Sequence, residues 1–252
     1  MKMQVTIIGF GTMGQAIAKA LSDYAGAVKV FGIDKHNLHD NVSAKNIQKS
    51  DFLILAIKPQ DAKEALKQVK ISLNKKTILI SIMAGVSIKK LVALSGQKRI
   101  IRMMPNLGLS VGEGIAFWKA SGLSLPEVKK AKNLINKITE NFETKNEDAI
   151  NKVTAISGSG PAYFFLLADC LIKTSQSLGF TQDESRKLVG KTLKASALLS
   201  KEADYSELIK KIASKGGTTE AALKVFRKKN IARLVEEAVF SAYRRAQELN
   251  NA

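Results

Sequence analysis

Short runs of β-branched and aliphatic residues alternate with helical stripes through the first 150 positions, and then the strand pattern stops. Residues 5–8 (Val-Thr-Ile-Ile) read as a strand buried on both faces. A glycine-rich turn follows, and Ala16, Ile17, Ala20 and Leu21 then mark one face of a helix. Further strands are expected at 28–33, 52–57, 77–82, 99–103 and 114–118, with helices at 61–69 and 87–94. Such alternation predicts a doubly wound parallel sheet, an α/β Rossmann-type domain.

From Pro161 onward only helical patterns remain. Pro161 suits a first helical turn, residues 162–178 are apolar almost all round, and Gly179 ends the run. Thr181 and Glu184 have capping-box spacing, and Asp204 with Glu207 forms a weaker, Asp-led version. Helices are expected at 182–200, 205–213, 219–226 and 231–249. The predicted organisation is an α/β domain at 1–153 followed by an all-α domain at 154–252. A helix as apolar as 162–178 needs cover on every side. In a domain of that size, part of the cover is expected from another subunit, which makes the helical half a dimerisation domain.

Composition changes this picture little. Hydrophobic residues make up 45% and charged residues 25% of the 252, which suits a soluble globular chain. The net charge of +18 stands out, but it is spread as +12 before residue 155 and +6 after. No nucleic-acid recognition motif accompanies it, so a solvated basic surface is expected and no nucleic-acid partner. The one cysteine, Cys170, lies in an apolar stretch, reads as a core residue, and fits a reducing cytoplasm. The apolar run at 77–88 is too short to span a bilayer, and no membrane attachment is expected.

The first candidate chemistry is Gly9-x-Gly11-x-x-Gly14. Alone it is a weak signal. Placed between a strand and a helix, it permits a tight turn, close approach of a pyrophosphate, and close helix–strand packing. Asp34 lies 20 positions after Gly14, where an acidic residue would hold the ribose 2′-hydroxyl of NADH. Lys35 beside it would instead meet the 2′-phosphate of NADPH, so the cofactor choice stays open. The only histidines, His36 and His39, have no third ligand at a clear spacing, and they read as surface-loop residues and not as a metal pair. With no credible nucleophile, base pair or metal, the fitting chemistry is hydride transfer, where the cofactor supplies the reactivity.

The second candidate is the stretch 213–223, Ala-Ser-Lys-Gly-Gly-Thr-Thr-Glu-Ala-Ala-Leu. Two glycines free the backbone to bend, and two threonines stand where a helix begins. Amides at a helix start are unpaired and seat an anion such as a carboxylate. The threonine hydroxyls can serve a second polar atom. The plainer reading of this turn is a helix cap.

Taken together, these segments resemble pyrroline-5-carboxylate reductase. The resemblance rests on the Gly9–Gly14 loop, Ser50-Asp51 through Ala56-Ile57-Lys58-Pro59-Gln60, Ile82-Met83-Ala84-Gly85-Val86 and Arg102-Met103-Met104-Pro105-Asn106. It continues through Ser157-Gly158-Ser159-Gly160-Pro161-Ala162-Tyr163 to Gly216-Gly217-Thr218-Thr219. It implies a Rossmann domain, an interleaved helical homodimer that can build larger rings, and reduction of a cyclic imine to L-proline with NADPH or NADH.

The resemblance also implies site roles. Gly9, Gly11, Thr12, Met13 and Gly14 would hold the pyrophosphate. Ala56, Lys58, Pro59, Met83 and Ala84 would border the nicotinamide. Ser214 and the Gly217 and Thr218 amides would seat the substrate carboxylate. Thr219 would meet the ring nitrogen as the catalytic residue, with Glu202 facing it more loosely. Ser159 and Tyr163 read as a helix cap and core packing.

Departures from the pattern are Lys215 where the family usually has proline, and Asp34-Lys35 where it often has arginine. The stretch between 35 and 50 is also short for a full crossover helix. A reductase of another cyclic imine, or a catalytically silent dinucleotide-binding scaffold, is the alternative reading.

Overall fold

Five consecutive strands are rich in apolar side chains, and in all but the second most positions are buried. The computed structural model describes residues 2–34, 37–38, 41–201 and 203–251, and places these strands side by side. They are β1 (Met3–Ile8), β2 (Val28–Ile33), β3 (Phe52–Leu55), β4 (Ile78–Ser81) and β5 (Ile100–Pro105), paired in parallel. The sheet order is β2-β1-β3-β4-β5, extended by β6 (Ile115–Ser121) and β7 (Glu140–Glu143).

The sheet is not wholly parallel, as the strand–helix alternation had suggested. β6 runs antiparallel to β5, with Met103 opposite Trp118. The cause is the link at 106–114, which holds only a 3₁₀ turn, Leu107–Val111. A link that short returns the chain beside its own strand, whereas a parallel neighbour requires a crossover helix.

Residue alternation along the strands divides the core. Ile7, Ile54, Ile80 and Ile101 face α1 (Thr12–Ser22) and α5 (Leu125–Ile138), where Ile17, Leu21, Leu134 and Ile135 close over them. Ile8, Leu53, Leu55 and Leu79 join the opposite cluster, with Leu66 of α3 (Ala62–Ser72) and Leu91 of α4 (Ile88–Ser95). The stretch thought too short for a crossover does form one, α2 (Asn41–Lys49), a helix of nine residues. It buries only Ser43 and Ile47, so its apolar stripe is faint in sequence.

The chain divides into two compact units, Met1–Ser159 with Ser241–Ala252, and Gly160–Phe240. The first unit also holds α6 (Asp148–Val153) and a π-helical turn, Thr154–Gly158. Ser159, expected as a helix cap, is the C-cap of that turn. Its amide and its Oγ–H both donate to the Thr154 carbonyl, at 2.8 and 3.1 Å.

The second unit is helical throughout, with α7 (Gly160–Ser177), α8 (Gln182–Leu199), α9 (Tyr205–Ile212), α10 (Thr218–Lys228) and the start of α11 (Ile231–Asn251). The Thr181–Glu184 capping box forms, whereas Asp204 caps α9 without a side-chain bond. Within α7 only Gly160 is buried. Phe164, Phe165 and Leu166 stand open, and Cys170, read as a core residue, is exposed as well. A groove of about 540 Å³ on this unit is lined by Phe164, Leu167, Leu171, Leu178, Leu188 and Leu193. The helical stretch Asp148–Ser177 is long and apolar enough to cross a membrane, a test that the core helix of a soluble protein also passes.

Candidate active site

In a parallel sheet a crevice opens at the carboxyl ends of the strands, where the strand order reverses. Here β1 connects leftward to β2, and the chain then returns to the other side of β1 as β3, so the reversal falls between β1 and β3. A cleft of about 490 Å³ lies there. Gly9, Gly11, Thr12 and Met13 line it after β1, and Asp34 after β2. Ala56, Lys58 and Pro59 line it after β3, and Met83 and Ala84 after β4. Each was expected at the cofactor from sequence. Lys35 and His36 with His39 lie outside the described residues.

The glycine loop is shaped for a bulky anion. Gly9 sits at φ +89°, in the left-handed region that glycine favours. A Cβ on Gly14 would run into the Gly9 carbonyl, so Gly14 serves the packing of α1 on the loop and does not line the cleft. Gly11 caps α1 with no side-chain bond, and no acidic residue occupies the first turn. The leading amides of α1 are therefore left to an external acceptor, the arrangement that suits a pyrophosphate.

Four wall residues escaped the sequence reading: Phe10, Ile57, Asp61 and Ile82. Each lies within two positions of a residue that was singled out, and only knowledge of the cleft's width would have added them. Phe10 lies over Gly32, where a Cβ would strike its ring.

The second candidate element is the turn leading into α10, in the helical unit. Gly216 has φ +75°, and Gly217 is the N-cap in extended conformation. The Gly217 amide donates to the Ser214 carbonyl at 3.0 Å, so it is engaged inside the turn. A Cβ on Gly217 would lie 2.6 Å from Ser214 Oγ, which places the serine hydroxyl directly over the glycine. Thr218 and Thr219 are the first two helical residues, with amides that have no carbonyl four positions back to accept them.

Glu220, the third, turns back and accepts the Gly216 N–H at 2.8 Å. That backbone bond, followed by the nearby Lys224 ammonium, holds the Glu220 carboxyl below its usual range. Thr219 is half-buried, while Ser214, Lys215 and Thr218 are exposed. Glu202 lies outside the described residues. Among the described residues no group of three or more His, Cys, Asp or Glu side chains could hold a metal.

A doubly wound sheet with this cleft defines a nicotinamide-dinucleotide oxidoreductase. A family model described as NADP oxidoreductase, coenzyme F420-dependent, matches residues 4–85, and one described as pyrroline-5-carboxylate reductase dimerisation matches 147–249. The chain is 33% identical to pyrroline-5-carboxylate reductase of Aquifex aeolicus, over 98% of this chain and 97% of that one. It is also 33% identical to the Synechocystis enzyme of the same name, over 99% of each. The crystal structure of Plasmodium falciparum pyrroline carboxylate reductase with NADP bound superposes with a TM-score of 0.84, at 27% identity and 98% coverage of both chains. The chain belongs to the pyrroline-5-carboxylate reductase family.

Proposed function

We propose that the chain reduces 1-pyrroline-5-carboxylate to L-proline, the last step of proline synthesis, with the cleft as cofactor site and the Ser214–Thr219 turn as substrate seat. The full-length similarity to reductases of that name carries the activity. The cleft's fit to a dinucleotide supports the cofactor assignment.

Bound in the cleft, the reduced nicotinamide of NADPH or NADH supplies a hydride for the imine carbon. The chain's own residues do the rest. The α1 amides and the Gly9–Gly14 loop hold the pyrophosphate. Ala56, Lys58, Pro59, Met83 and Ala84 form the wall against which the nicotinamide ring is oriented.

The Thr218 and Thr219 amides receive the substrate carboxylate, with Ser214 Oγ beside them over Gly217. Thr219 Oγ1 accepts from the protonated ring nitrogen and so orients the ring. Protonation of that nitrogen makes the imine carbon electrophilic. Glu202 belongs to the same proposal as a looser neighbour of the nitrogen.

The division into a cofactor domain at 1–153 and a dimerisation domain at 154–252 is part of this reading. So are a cytoplasmic homodimer and the absence of nucleic-acid and membrane partners. The apolar side chains left open on α7 support pairing of two copies.

The test is oxidation of NADH and NADPH in the presence of pyrroline-5-carboxylate, run beside its six-membered homologue. Turnover of the five-membered ring is expected to exceed the other. Preference for the larger ring would make the chain a different cyclic-imine reductase. Cofactor binding without turnover of either ring would leave a silent scaffold. Molecular mass in solution checks the dimer.

A further inference from the structure

We propose that Leu249, near the end of α11, is a positioning residue for the nicotinamide end of the cofactor, acting through Gly85. This rests on the assignment of Met83 and Ala84 to that end of the cleft. The loop at 82–86 lies between the cleft and α11. Met83 and Ala84 face the cleft, and Gly85 is buried behind them with φ +66°. A Cβ built on Gly85 would overlap Leu249 Cβ and come within 3.3 Å of Leu249 Cα. Leu249 therefore packs on the loop backbone through its Cβ, with no flexible side-chain end between them to absorb a shift.

The last turns of α11 are fastened to α6. Tyr243 Oη donates to Asp148 Oδ2 at 2.6 Å, and Asn250 Nδ2 donates to Asn151 Oδ1 at 2.9 Å. That same Asn151 oxygen accepts from Nη2 of the buried Arg102 at 2.7 Å. Arg102 Nη1 donates to Glu147 Oε1 at 2.9 Å, and this oxygen also accepts the Ile88 N–H, at 2.8 Å. Ile88 opens α4 directly after the loop. One chain of bonds thus ties the helix that presses on Gly85 to the loop's exit. The height of Met83 and Ala84 against the cofactor follows from both.

The test compares wild type with Gly85→Ala, Leu249→Gly and the double variant. It measures the melting temperature, kcat, and Kd for both NADH and ADP-ribose, which lacks the nicotinamide ring. Gly85→Ala is expected to weaken NADH binding or lower kcat by about tenfold or more, with ADP-ribose affinity unchanged. In the double variant the overlapping Leu249 Cβ is gone, and part of that loss is expected to return, the remainder belonging to an alanine held at φ +66°. Equal losses for NADH and ADP-ribose, or a double variant no better than Gly85→Ala, would overturn the proposal.

Should Gly85→Ala fail to fold, Leu249→Gly alone decides. Selective weakening of NADH supports the brace, and an unchanged ratio of the two affinities overturns it. Wild type separates the underlying reading: a wild type that binds NADH no tighter than ADP-ribose, or turns over no imine, defeats the site assignment itself.

Discussion

Glu220 Oε2 accepts the Gly216 amide across the turn that the threonines close, at 2.8 Å. The bond holds a residue in the left-handed region, φ +75°, one position before the N-cap. It also brings a carboxylate to the end of α10 where an incoming carboxylate would be seated. The two effects oppose each other, and a neutral side chain separates them. Glu220→Gln keeps an acceptor for Gly216 and removes the charge, whereas Glu220→Ala removes both. Glu220→Ala is expected to raise KM for the imino acid about fivefold, the order of one lost hydrogen bond. KM for the cofactor should not move. Glu220→Gln is expected to lie at or below the wild-type KM, and a rise matching that of alanine would show that charge holds the turn.

Thr219 is half-buried at the second position of α10, beside amides that have no helical acceptor. If its hydroxyl orients the ring nitrogen, Thr219→Ala lowers kcat by about 100-fold, within the range of a lost acid–base or orienting group. Cofactor Kd should stay within about twofold, since the dinucleotide loop is untouched. Equal loss in kcat and cofactor affinity would remove Thr219 from the chemistry. Thr219→Ser, which keeps the hydroxyl, should recover most of the rate.

Asp34 follows β2 at the edge of the dinucleotide cleft. A carboxylate there suits a free ribose 2′-hydroxyl and repels a 2′-phosphate. Asp34→Ser is expected to move the ratio of kcat/KM for NADPH over NADH upward by about tenfold, the equivalent of about 1.4 kcal/mol, since like charges at a binding site repel. The ratio in wild type and variant, taken in the same buffer at fixed salt, is the measurement. An unchanged ratio would mean that the groups around Asp34 already neutralise it.

The strand ends and the glycine loop were legible because each rests on short-range sequence. Residues 52–57 read as a strand since every position is apolar, and Gly9–Gly14 follows from the needs of one turn. β7 was not legible. Its four residues, Glu-Asn-Phe-Glu, are exposed but for half-buried Asn141 and hold a single apolar side chain, so no alternation marks it. α5 has a clear signal in its sequence, Ala131, Leu134, Ile135 and Ile138 at helical spacing behind the Ser124–Glu127 capping box.

In the substrate turn, the Gly217 amide was expected to face a ligand. Its bond to Ser214 O is a matter of three-dimensional closure that spacing does not express. Arg102 is similar. A cation inside a buried strand announces a partner, but that the partners are Glu147 and Asn151, with Asn250 of the last helix joining them, depends on how α11 returns to the first unit.

Glu127 provides a pH test that is independent of the active site. Its carboxylate accepts the Ser124 amide and hydroxyl, both at 2.8 Å, and it pairs with Arg99 Nε at 2.7 Å. The Ser124 backbone bond is the largest influence, followed by the hydroxyl and then Arg99. Together they lower the carboxyl from its ordinary 4.5 to about 2. The ionised form is therefore favoured by folding. Its contribution to stability is complete above the unfolded value of 4.5 and is lost as pH falls toward 2. Glu127→Gln forfeits this contribution at all pH values. The melting temperature of wild type should exceed that of the variant at neutral pH, and the gap should narrow steadily between pH 4.5 and the lowest pH at which both remain folded. A gap that stays constant across that interval would assign the difference to capping geometry alone, with no part for the charge.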